Sequence, residues 1–317
     1  MGKVDLLIVG ATTSSAGIGG VSIHIERLMH RLNEQQIDFD FCDYKRESLW
    51  HVIKQVLKHK VIHIHPSNPL FRVLLVSISK FLRKKVVFTV HGNLGRYSRV
   101  KNYMDRLAVR WSDIPVLINQ GSYALASQWN SQARMISAYI PPLEDGYLPK
   151  AVVARIREAR DENITIVSTN ASVRSYTNDG EEIYGIDFLI DYFKEKENYF
   201  LCVSDPSSQY AMHFSGQAFK NVLFITEPHS FYAVMKHSDV MVRGTATDGD
   251  SLSIREGLDL DIKVIATDCV DRPDGVVLFK YKDSSSFESA LNASAERIER
   301  KKENVVEELI LLYNSLL

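Results

Sequence analysis

The stretch RGTATDGDSLSIREGLDLDIKVIATD (243–268) places a strand end, a polar loop, a helix and the next strand in direct succession. The apolar run before it ends near Gly244, the helix is expected to begin near Ser251, and Lys263 opens the following apolar run. Parallel strands need a crossover of about a dozen residues or more, usually a helix. The stretch therefore predicts a parallel βαβ unit.

The same alternation continues outward from this unit along the whole chain. Apolar residues at helical spacing mark the segments 21–34, 49–59 and 70–85. Continuous apolar strands separated by helices are typical of a parallel sheet that is covered on both faces. The predicted strands are VDLLIVG (4–10), FDFCDY (39–44), KVIHIH (60–65), KVVFTVHG (85–92), IPVLIN (114–119), ARMISAYI (133–140), ITIVST (164–169), YFLCVS (199–204), VLFIT (222–226), DVMVRG (239–244), KVIATD (263–268) and GVVLFKY (275–281).

A break divides the alternation into two similar halves. Pro141 and Pro142 follow Ile140 and precede LEDGYLPK, a composition typical of a linker or hinge. We therefore predict an α/β fold with two doubly wound, Rossmann-like domains facing a cleft. The acceptor-side domain is expected at 1–145 and the nucleotide-binding domain at 146–317, closed by helices within 287–316. Ligands bind such sheets beyond the carboxyl ends of the strands.

Composition limits the class of protein. The 317 residues are 45% apolar and 24% charged, which excludes a disordered chain, a collagen or a coiled coil. The net charge of −1 argues against a general nucleic-acid binder. Residues 1–150 nevertheless carry 20 Lys and Arg against 11 Asp and Glu, a charge of +9, and residues 151–317 carry 18 against 28, a charge of −10. This asymmetry predicts different partners for the two halves.

Cysteine usage and hydropathy indicate the compartment. The three cysteines lie far apart and form no CxxC pair, which supports neither a disulfide framework nor a zinc–thiolate cluster. The amino-terminal apolar run is too short and too acidic for a secretory signal. Nothing in the sequence reaches the ~18 apolar residues of a membrane span. We therefore expect a cytoplasmic protein with reduced thiols.

A glycine-rich loop follows the first predicted strand in GATTSSAGIGGVSIHIERL (10–28). Gly19 and Gly20 precede a helix expected to start near Val21. Glycines allow backbone amides to approach a phosphate, and a helix amino terminus favours an anion. No Lys-Ser/Thr follows, as a Walker loop requires, and Ser22 stands where a dinucleotide fingerprint has glycine. The loop predicts either a phosphate contact or a tight strand-to-helix turn.

Histidines occupy strand ends in the first half. His91 ends the predicted strand 85–92, where ligands bind. His63 and His65 lie two residues apart and so face one side of a strand. A third ligand at a spacing typical of metal sites is missing, so we predict no metal site and expect these rings to be structural or to line the cleft.

Carboxylates make the 243–268 stretch the most specific candidate site. Asp248 lies on its loop, and Glu256 lies eight residues later on the predicted helix. Carboxylate oxygens accept hydrogen bonds from hydroxyl groups, and the helix amino terminus between the two offers amides to phosphates. The segment thus predicts either a site for a phosphorylated, hydroxyl-rich ligand or a solvated acidic loop with a helix salt bridge.

Together these segments resemble the GT-B glycosyltransferases, and in particular the retaining family-four enzymes. GIGGVSIHIERL is similar to that family's GGVxxHVxxLA, VIHIHPSNP to DVIHxHxxxP, and VVFTVHG to VxTxHG. TDGDSLSIREGLDLDIKVIATD resembles the segment EGFGLxxLEAMAxGxPVIATD. The motifs follow one another in the family's order over most of the chain.

The resemblance implies a role for each matching position. Gly19 and Gly20 are expected to approach the donor diphosphate, and His91 to line the reaction centre near the transferred sugar. Asp248 takes the first position of the family's E-x7-E motif, which contacts the donor sugar, and Glu256 takes the second, which holds the ribose hydroxyls. The family type requires no bound metal or other cofactor. Further donor-binding positions are Gly249 and Asp250 in the loop and, through their backbone amides, Ser251 and Leu252.

The sequence departs from the family pattern at its charged positions. Asp248 is one methylene shorter than the family glutamate, and Asp250 competes for its role. Tyr184 stands where the family has a lysine, and Arg174 is the nearest base in that segment. Arg243 replaces a small residue before the motif loop. Since an arginine fork binds phosphate well, we expect Arg243 to substitute for the lysine as a catalytic residue.

The sequence thus predicts a retaining glycosyltransferase of the hexosyltransferase type. It would move a sugar from a nucleotide-sugar donor to a glycan or lipid-linked acceptor in bacterial surface polysaccharide synthesis. The basic stretches Arg83–Lys85 and Arg96–Arg110 are expected to turn toward anionic membrane, which makes attachment to the inner face peripheral. Two alternatives remain open, a nucleotide-sugar epimerase of the same fold and a non-catalytic partner subunit.

Overall fold

Two compact units make up the computed structural model, which describes residues 5–17, 19–177, 179–294 and 304–317. The first unit comprises Met1–Pro141 and Lys301–Leu317, and the second comprises Pro142–Arg300. The boundary lies between the two prolines of the predicted break, slightly before the expected position at 145/146. Two consecutive prolines cannot donate backbone hydrogen bonds, so neither sheet can extend through them.

The first unit alternates strands and helices from its first described residues. Asn68 caps the fourth helix by accepting from the amides of Leu70 and Phe71. That helix ends at Phe81 rather than near residue 85, because Arg83 has a left-handed φ of 58°. The elements are β1 (Leu6–Gly10), α1 (Thr13–Ala16), α2 (Gly20–Glu34), β2 (Phe39–Asp43), α3 (Leu49–Lys58), β3 (Val61–Ile64), α4 (Pro69–Phe81), β4 (Lys85–Val90), α5 (Arg99–Trp111), β5 (Ile114–Leu117), α6 (Gln120–Trp129) and β6 (Arg134–Met135).

The described strands of this unit form a parallel sheet in the order β2-β1-β3-β4-β5-β6. Alternate residues of β1 enter different cores, as the two-residue period of a strand requires. Leu6 packs with Leu28 of α2 on one face, and Leu7 packs with Val52 of α3 on the other. Both faces are therefore covered, and every residue of strand β1 is buried.

The second unit repeats this plan. Its described strands form a parallel sheet in the order β12-β11-β10-β7-β8-β9. The elements are α7 (Lys150–Asp161), β7 (Thr165–Asn170), α8 (Ile186–Phe193), β8 (Tyr199–Ser204), α9 (Gln209–His213), β9 (Val222–Ile225), α10 (Phe231–Met235), β10 (Val240–Arg243), α11 (Leu252–Asp259), β11 (Lys263–Thr267), β12 (Val276–Phe279), α12 (Ser284–Asn292) and α13 (Val305–Leu316). Of these, α13 belongs to the first unit.

The position of α13 corrects the prediction that residues 287–316 close the second domain. Only α12 does so, through Phe287 and Ala290 in that unit's core. The helix α13 buries Leu309 in the first unit's core beside Leu28. The hydroxyl group of Tyr313 also lies 2.7 Å from Nδ1 of His63 on β3. The part of the prediction that covers 295–303 lies outside the described residues.

The predicted strands agree with the structure to within two residues at either end, except for the run 133–140; Val4 of the first run lies outside the described residues. In that run only Arg134 and Met135 pair, with β5 at the sheet edge. The chain then leaves the sheet, and the carbonyl of Ala138 accepts from the ring of His24. The fold-class prediction of two doubly wound, Rossmann-like domains is confirmed. Within the described part of the chain, no helix has the length and apolarity to span a bilayer.

We expect Leu309→Ala to destabilise the first unit by about 2–5 kcal/mol, because it leaves a cavity under α13. Leu311→Ala on the same helix is the matched control, since Leu311 is 68% exposed and Leu309 is 2% exposed. Its effect should stay within about 0.5 kcal/mol. The tryptophans Trp50, Trp111 and Trp129 all lie in the first unit, so urea unfolding followed by their fluorescence reports on that unit. An unshifted tryptophan transition in Leu309→Ala would contradict the assignment of α13.

Candidate functional site

Each described sheet has one place where the strand order changes direction. In the first sheet it lies between β1 and β3, and in the second between β7 and β10. Open α/β sheets bind ligands outside the carboxyl ends of the strands at this point. The loops that follow these four strands are therefore the candidate binding segments, and they contain most of the residues singled out from the sequence.

In the second unit, the loops after β7 and β10 are held against each other. Gly185 has a φ of 69°, and a Cβ at this position would lie 2.0 Å from the carbonyl oxygen of Gly244. The amide of Ala246 donates to the carbonyl of Ile183 at 2.7 Å. Only glycine fits at position 185, and the two loops thus form one continuous surface.

The centre of this surface is an ion pair between Arg243 and Asp248. Nε and Nη2 of Arg243 donate to the two carboxylate oxygens at 3.1 and 3.2 Å, so the pair is bidentate. The Asp248 side chain is only 9% exposed. Burial by itself raises the pKa of this carboxyl, but the adjacent charges of Arg243 and Arg272 outweigh burial and lower it to about 2. Asp248 is therefore ionised and holds Arg243 in a fixed orientation.

Arg272 is a second guanidinium on the same carboxylate, and the sequence analysis missed it. Its Nη1 donates to Oδ2 of Asp248 at 2.8 Å, and its Nε donates to the carbonyl of Thr267 at 3.0 Å. The side chain is 2% exposed. Arg272 follows β11 on the neighbouring strand end, and only the parallel pairing of β10 with β11 brings it to Asp248. A spacing rule within one segment could not reveal it.

Arg243 and Arg174, the two candidate bases, have different surroundings. The guanidinium of Arg243 lies 5.3 Å from the centroid of the Tyr184 ring, the residue that replaces the family lysine. Arg174 instead donates to Oδ2 of Asp187 at 2.6 Å and lies 3.1 Å from Nε2 of His213. Both candidate bases are therefore paired with a carboxylate, Arg174 through one nitrogen and Arg243 through two, and they differ in that Arg243 lies beside Tyr184.

The loop after Asp248 leads directly into α11. The amide of Gly249 donates to Oδ1 of Asp248 at 3.0 Å. Ser251 is the residue that precedes the helix, and Leu252 is its first residue. The first-turn amides of a helix have no acceptor within the helix and favour an anion. Helix α11 therefore begins within one residue of the predicted start at Ser251, and its first-turn amides follow directly after the loop that carries Asp248.

The acidic residues of this segment do not form a solvated loop. Asp250 pairs with Nε of Arg255 at 2.8 Å, and its side chain is largely buried. Glu256 is buried in the second turn of α11. The predicted helix salt bridge is thus present, but the alternative of a solvent-exposed acidic loop is wrong.

In the first unit, Gly19 and Gly20 open α2. Gly19 has an extended φ of −161°, and a Cβ there would meet only the hydroxyl of Ser22, at 4.0 Å. Ser22 accepts from the amide of Gly19 at 3.2 Å and donates to the carbonyl of Gly17 at 2.8 Å. Neither backbone conformation nor packing within the described chain therefore demands glycine at position 19.

Four imidazole rings meet at the carboxyl ends of β3 and β4. Nδ1 of His65 lies 2.9 Å from Nε2 of His91, and the ring centroids of His63 and His65 are 4.0 Å apart. His24 of α2 completes the group, 5.1 Å from His91 between ring centroids. Burial lowers the pKa of His24 to about 4 and that of His63 to about 3, and it holds those of His65 and His91 well below 6.5. The four rings are thus neutral at neutral pH.

Known proteins resemble this chain in fold, whereas comparisons of sequence find no match. No family model matches the chain, and no curated protein matches it in sequence. HepE from Anabaena, solved in complex with UDP and glucose, matches with a TM-score of 0.71 at 13% identity over 99% of this chain and 100% of that one. The lipopolysaccharide outer core galactosyltransferase WaaB matches with a TM-score of 0.56 at 12% identity over 98% and 97%.

A further similar structure is the UDP-GlcNAc 2-epimerase from Methanocaldococcus jannaschii. It matches with a TM-score of 0.61 at 10% identity, over 98% of this chain and 99% of that one. Identities this low establish shared architecture and leave the substrate open. The chain therefore has the GT-B fold, built from two Rossmann-like domains, as the resemblance to family-four glycosyltransferases implied.

Proposed function

We propose that the chain is a retaining glycosyltransferase that moves a sugar, of the hexose type, from a nucleotide-sugar donor to a glycan or lipid-linked acceptor. The observation that carries the proposal is the bidentate Arg243–Asp248 pair. It lies beside the start of α11, at the place where the strand order of the second sheet changes direction. The similar structures support it, since one is described with UDP and glucose and another as a lipopolysaccharide galactosyltransferase. Synthesis of a bacterial surface polysaccharide is the proposed setting.

In this proposal the second unit binds the donor. Glu256 accepts hydrogen bonds from the ribose hydroxyls, and the amides of Ser251 and Leu252 donate to phosphate oxygens. Gly249 and Asp250 complete the loop that surrounds the sugar. The contact of Asp248 with the donor sugar, implied by the family motif, stays a prediction alongside its observed role of holding Arg243.

In the transfer step, negative charge develops on the leaving diphosphate and must be stabilised. The bond between the anomeric carbon and the phosphate oxygen breaks, and the acceptor oxygen attaches to the same face of the sugar. The acceptor proton passes to the departing phosphate oxygen. Arg243 is already ionised and oriented, so it stabilises the developing charge without reorganisation. Arginine and backbone amides supply the positive potential in this proposal, which assigns no metal or other cofactor to the step.

The first unit provides the acceptor side in this proposal. His91, neutral through burial, offers the transferred sugar a hydrogen bond without carrying charge. Gly19 and Gly20 bring backbone amides to the diphosphate, which accounts for a glycine that the fold itself does not require at position 19. No role is left for nucleic acid.

A peripheral, cytoplasmic-face membrane contact belongs to the same proposal. Residues 51–100 hold ten Lys and Arg and no Asp or Glu. On α4, Leu70, Leu74 and Phe81 follow one another at helical spacing and are exposed, Phe81 to 87%. Exposed apolar residues next to basic ones suit an anionic lipid surface, where each basic residue adds about 1 kcal/mol.

The match to a UDP-GlcNAc 2-epimerase makes a nucleotide-sugar epimerase the second candidate. The two candidates differ in whether the donor is consumed without an acceptor. Incubation of the protein with a bound sugar nucleotide alone, followed by chromatography of the nucleotide sugars, separates them. An epimeric nucleotide sugar formed without acceptor would favour the epimerase and count against transfer.

We expect Glu256→Gln to weaken binding of the preferred nucleoside diphosphate by about 10- to 100-fold, because a charge-assisted hydrogen bond to ribose is lost. Gln keeps the shape of this buried side chain, so the fold should survive. A thermal-shift screen of nucleoside diphosphates identifies the ligand, and calorimetric titration compares the variants. Glu288→Gln, at an exposed position of α12 in the same unit, is the control. Equal affinities of Glu256→Gln and the parent would remove Glu256 from the site.

We expect Arg243→Ala to lower kcat by about 100-fold and to change KM for the donor far less, because the diphosphate gains charge in the transition state. Asp248 keeps Arg272 as its partner in this variant, so its carboxylate is not left unpaired. Arg160→Ala, on the exposed surface of the same unit, is the control. A silent Arg243→Ala together with a crippled Arg174→Ala would show that Arg174 is the functional base.

We expect the double variant Arg83→Gln/Lys85→Gln to bind anionic vesicles roughly 30-fold more weakly, since two basic residues contribute about 2 kcal/mol. The double variant Leu74→Ser/Phe81→Ser should also bind more weakly, and Met212→Ser, an exposed residue of the second unit, should not. Co-sedimentation with phosphatidylglycerol and phosphatidylcholine vesicles at low and high salt measures this. Equal partition of the parent protein to both lipids, or to neither, would contradict the membrane contact.

A further inference from the structure

The histidine cluster, defined as His24, His65 and His91, contains buried ring nitrogens that have no hydrogen-bond partner among the described residues. One ring nitrogen from each residue lies within 4.8 Å of the other two. The residues come from three separate elements, α2 and the ends of β3 and β4, and His24 and His65 are buried while His91 lies at the rim. The cluster therefore joins side chains from three separate elements of the first unit.

The hydrogen bond of His24 fixes its protonation. Nδ1 lies 2.7 Å from the carbonyl oxygen of Ala138, which can only accept, so Nδ1 carries the proton. Nε2 therefore holds a lone pair, and it is buried without a hydrogen-bond partner among the described residues. Metal-binding histidines use this same arrangement, in which the second ring nitrogen donates to a backbone carbonyl.

His65 also has a buried ring nitrogen without a hydrogen-bond partner within the described residues. Its Nε2 also lacks a partner in the described part of the chain, while its Nδ1 shares a proton with Nε2 of His91. His63 differs, because its Nδ1 contacts the hydroxyl of Tyr313 and its Nε2 contacts that of Thr89, at 2.7 and 2.8 Å. His63 is thus a packing partner that holds the His65 ring and is excluded as a ligand.

We propose that His24, His65 and His91 form a binding site for a zinc-like divalent transition metal ion. Ligand nitrogens of a tetrahedral zinc site lie about 3.3 Å apart. The three ligand nitrogens lie within 4.8 Å of one another, so the widest separation in the cluster must shorten by about 1.5 Å. A set of three imidazoles without carboxylate selects zinc, copper, nickel or cobalt over magnesium and calcium.

Three arginines, Arg27, Arg72 and Arg96, lie near the cluster, and a bound cation must tolerate their charge. A metal ion bound by both His65 and His91 displaces the proton that these two rings share. Arg72, a buried cation near His91, is neutralised by Asp105 at 2.7 Å. A substrate hydroxyl is a poorer match for the cluster, because its single hydrogen satisfies one lone pair, whereas a metal ion accepts one from each ring.

The consequence for activity rests on the proposed glycosyltransferase function. A metal on the cluster engages His91 and withdraws it from the transferred sugar, so occupancy lowers turnover. The site is then an inhibitory one, consistent with a transfer step that needs no metal. Binding of the metal itself does not depend on this consequence and is measured separately.

The direct test is titration of chelator-treated protein with Co²⁺, followed through its visible absorption and then by Zn²⁺ competition. We expect one equivalent of Co²⁺ to bind with the intense bands of a four-coordinate site and to be displaced by Zn²⁺. His24→Gln should weaken binding at least 10-fold. His30→Gln is the matched control, because His30 is exposed on the same helix and pairs with Glu34. It should bind as the parent does.

Absence of stoichiometric four-coordinate Co²⁺, or equal weakening by His24→Gln and His30→Gln, would overturn the proposal. Thermal unfolding of each variant shows whether it folds. If His24→Gln does not fold, His91→Gln at the rim takes its place and must lose the Co²⁺ bands. Nucleoside diphosphate titration of the metal-free protein tests the donor site separately, so failure of the metal site leaves the proposed function intact, and the converse also holds.

Discussion

Both sheets are parallel throughout their described strands, and this constraint determines where chemistry can occur. Parallel pairing forces every connection to cross over the sheet, so helices cover both faces and all strand carboxyl ends meet at one edge. The loops that follow the strands therefore all lie at that edge. In the first unit, Gly19, His65 and His91 lie at this edge of the sheet. In the second unit, Arg243 and the start of α11 lie there.

The two edges solve the problem of burying polar groups in opposite ways. In the second unit, opposite charges compensate each other: the carboxylate of Asp248 lies between two guanidinium groups, and removing one partner of such a buried pair typically costs about 3–5 kcal/mol. In the first unit, burial is tolerated because the rings of His24, His63 and His65 stay uncharged. One edge therefore buries charges that compensate each other, and the other buries uncharged rings.

The sequence predicted what local patterns encode. Buried strands are continuous apolar runs, so their positions and the doubly wound class could be predicted, as could the helix that carries Glu256. The missed features depend on contacts between distant segments. Arg272 reaches Asp248 only through the β10–β11 pairing, and His24 meets His91 only when α2 folds over the sheet. The apolar pattern of α13 predicts a packed helix but does not show which of the two units it packs against. Strand β6 is shorter than predicted because the chain turns toward His24.

Tyr184, which stands where the motif that the sequence resembles has a lysine, is one of the contacts of Arg243, beside Asp248 and Asn170. A lysine at that position would provide a mobile point charge, whereas Tyr184 provides a ring face 5.3 Å from the Arg243 guanidinium. Arg243 lies on a strand end and cannot swing, so its fork must be oriented in advance, and the bidentate bond to Asp248 does this. Tyr184 and Asp248, the two departures from the motif that the sequence resembles, therefore both contact Arg243, and together they fix the position of its guanidinium.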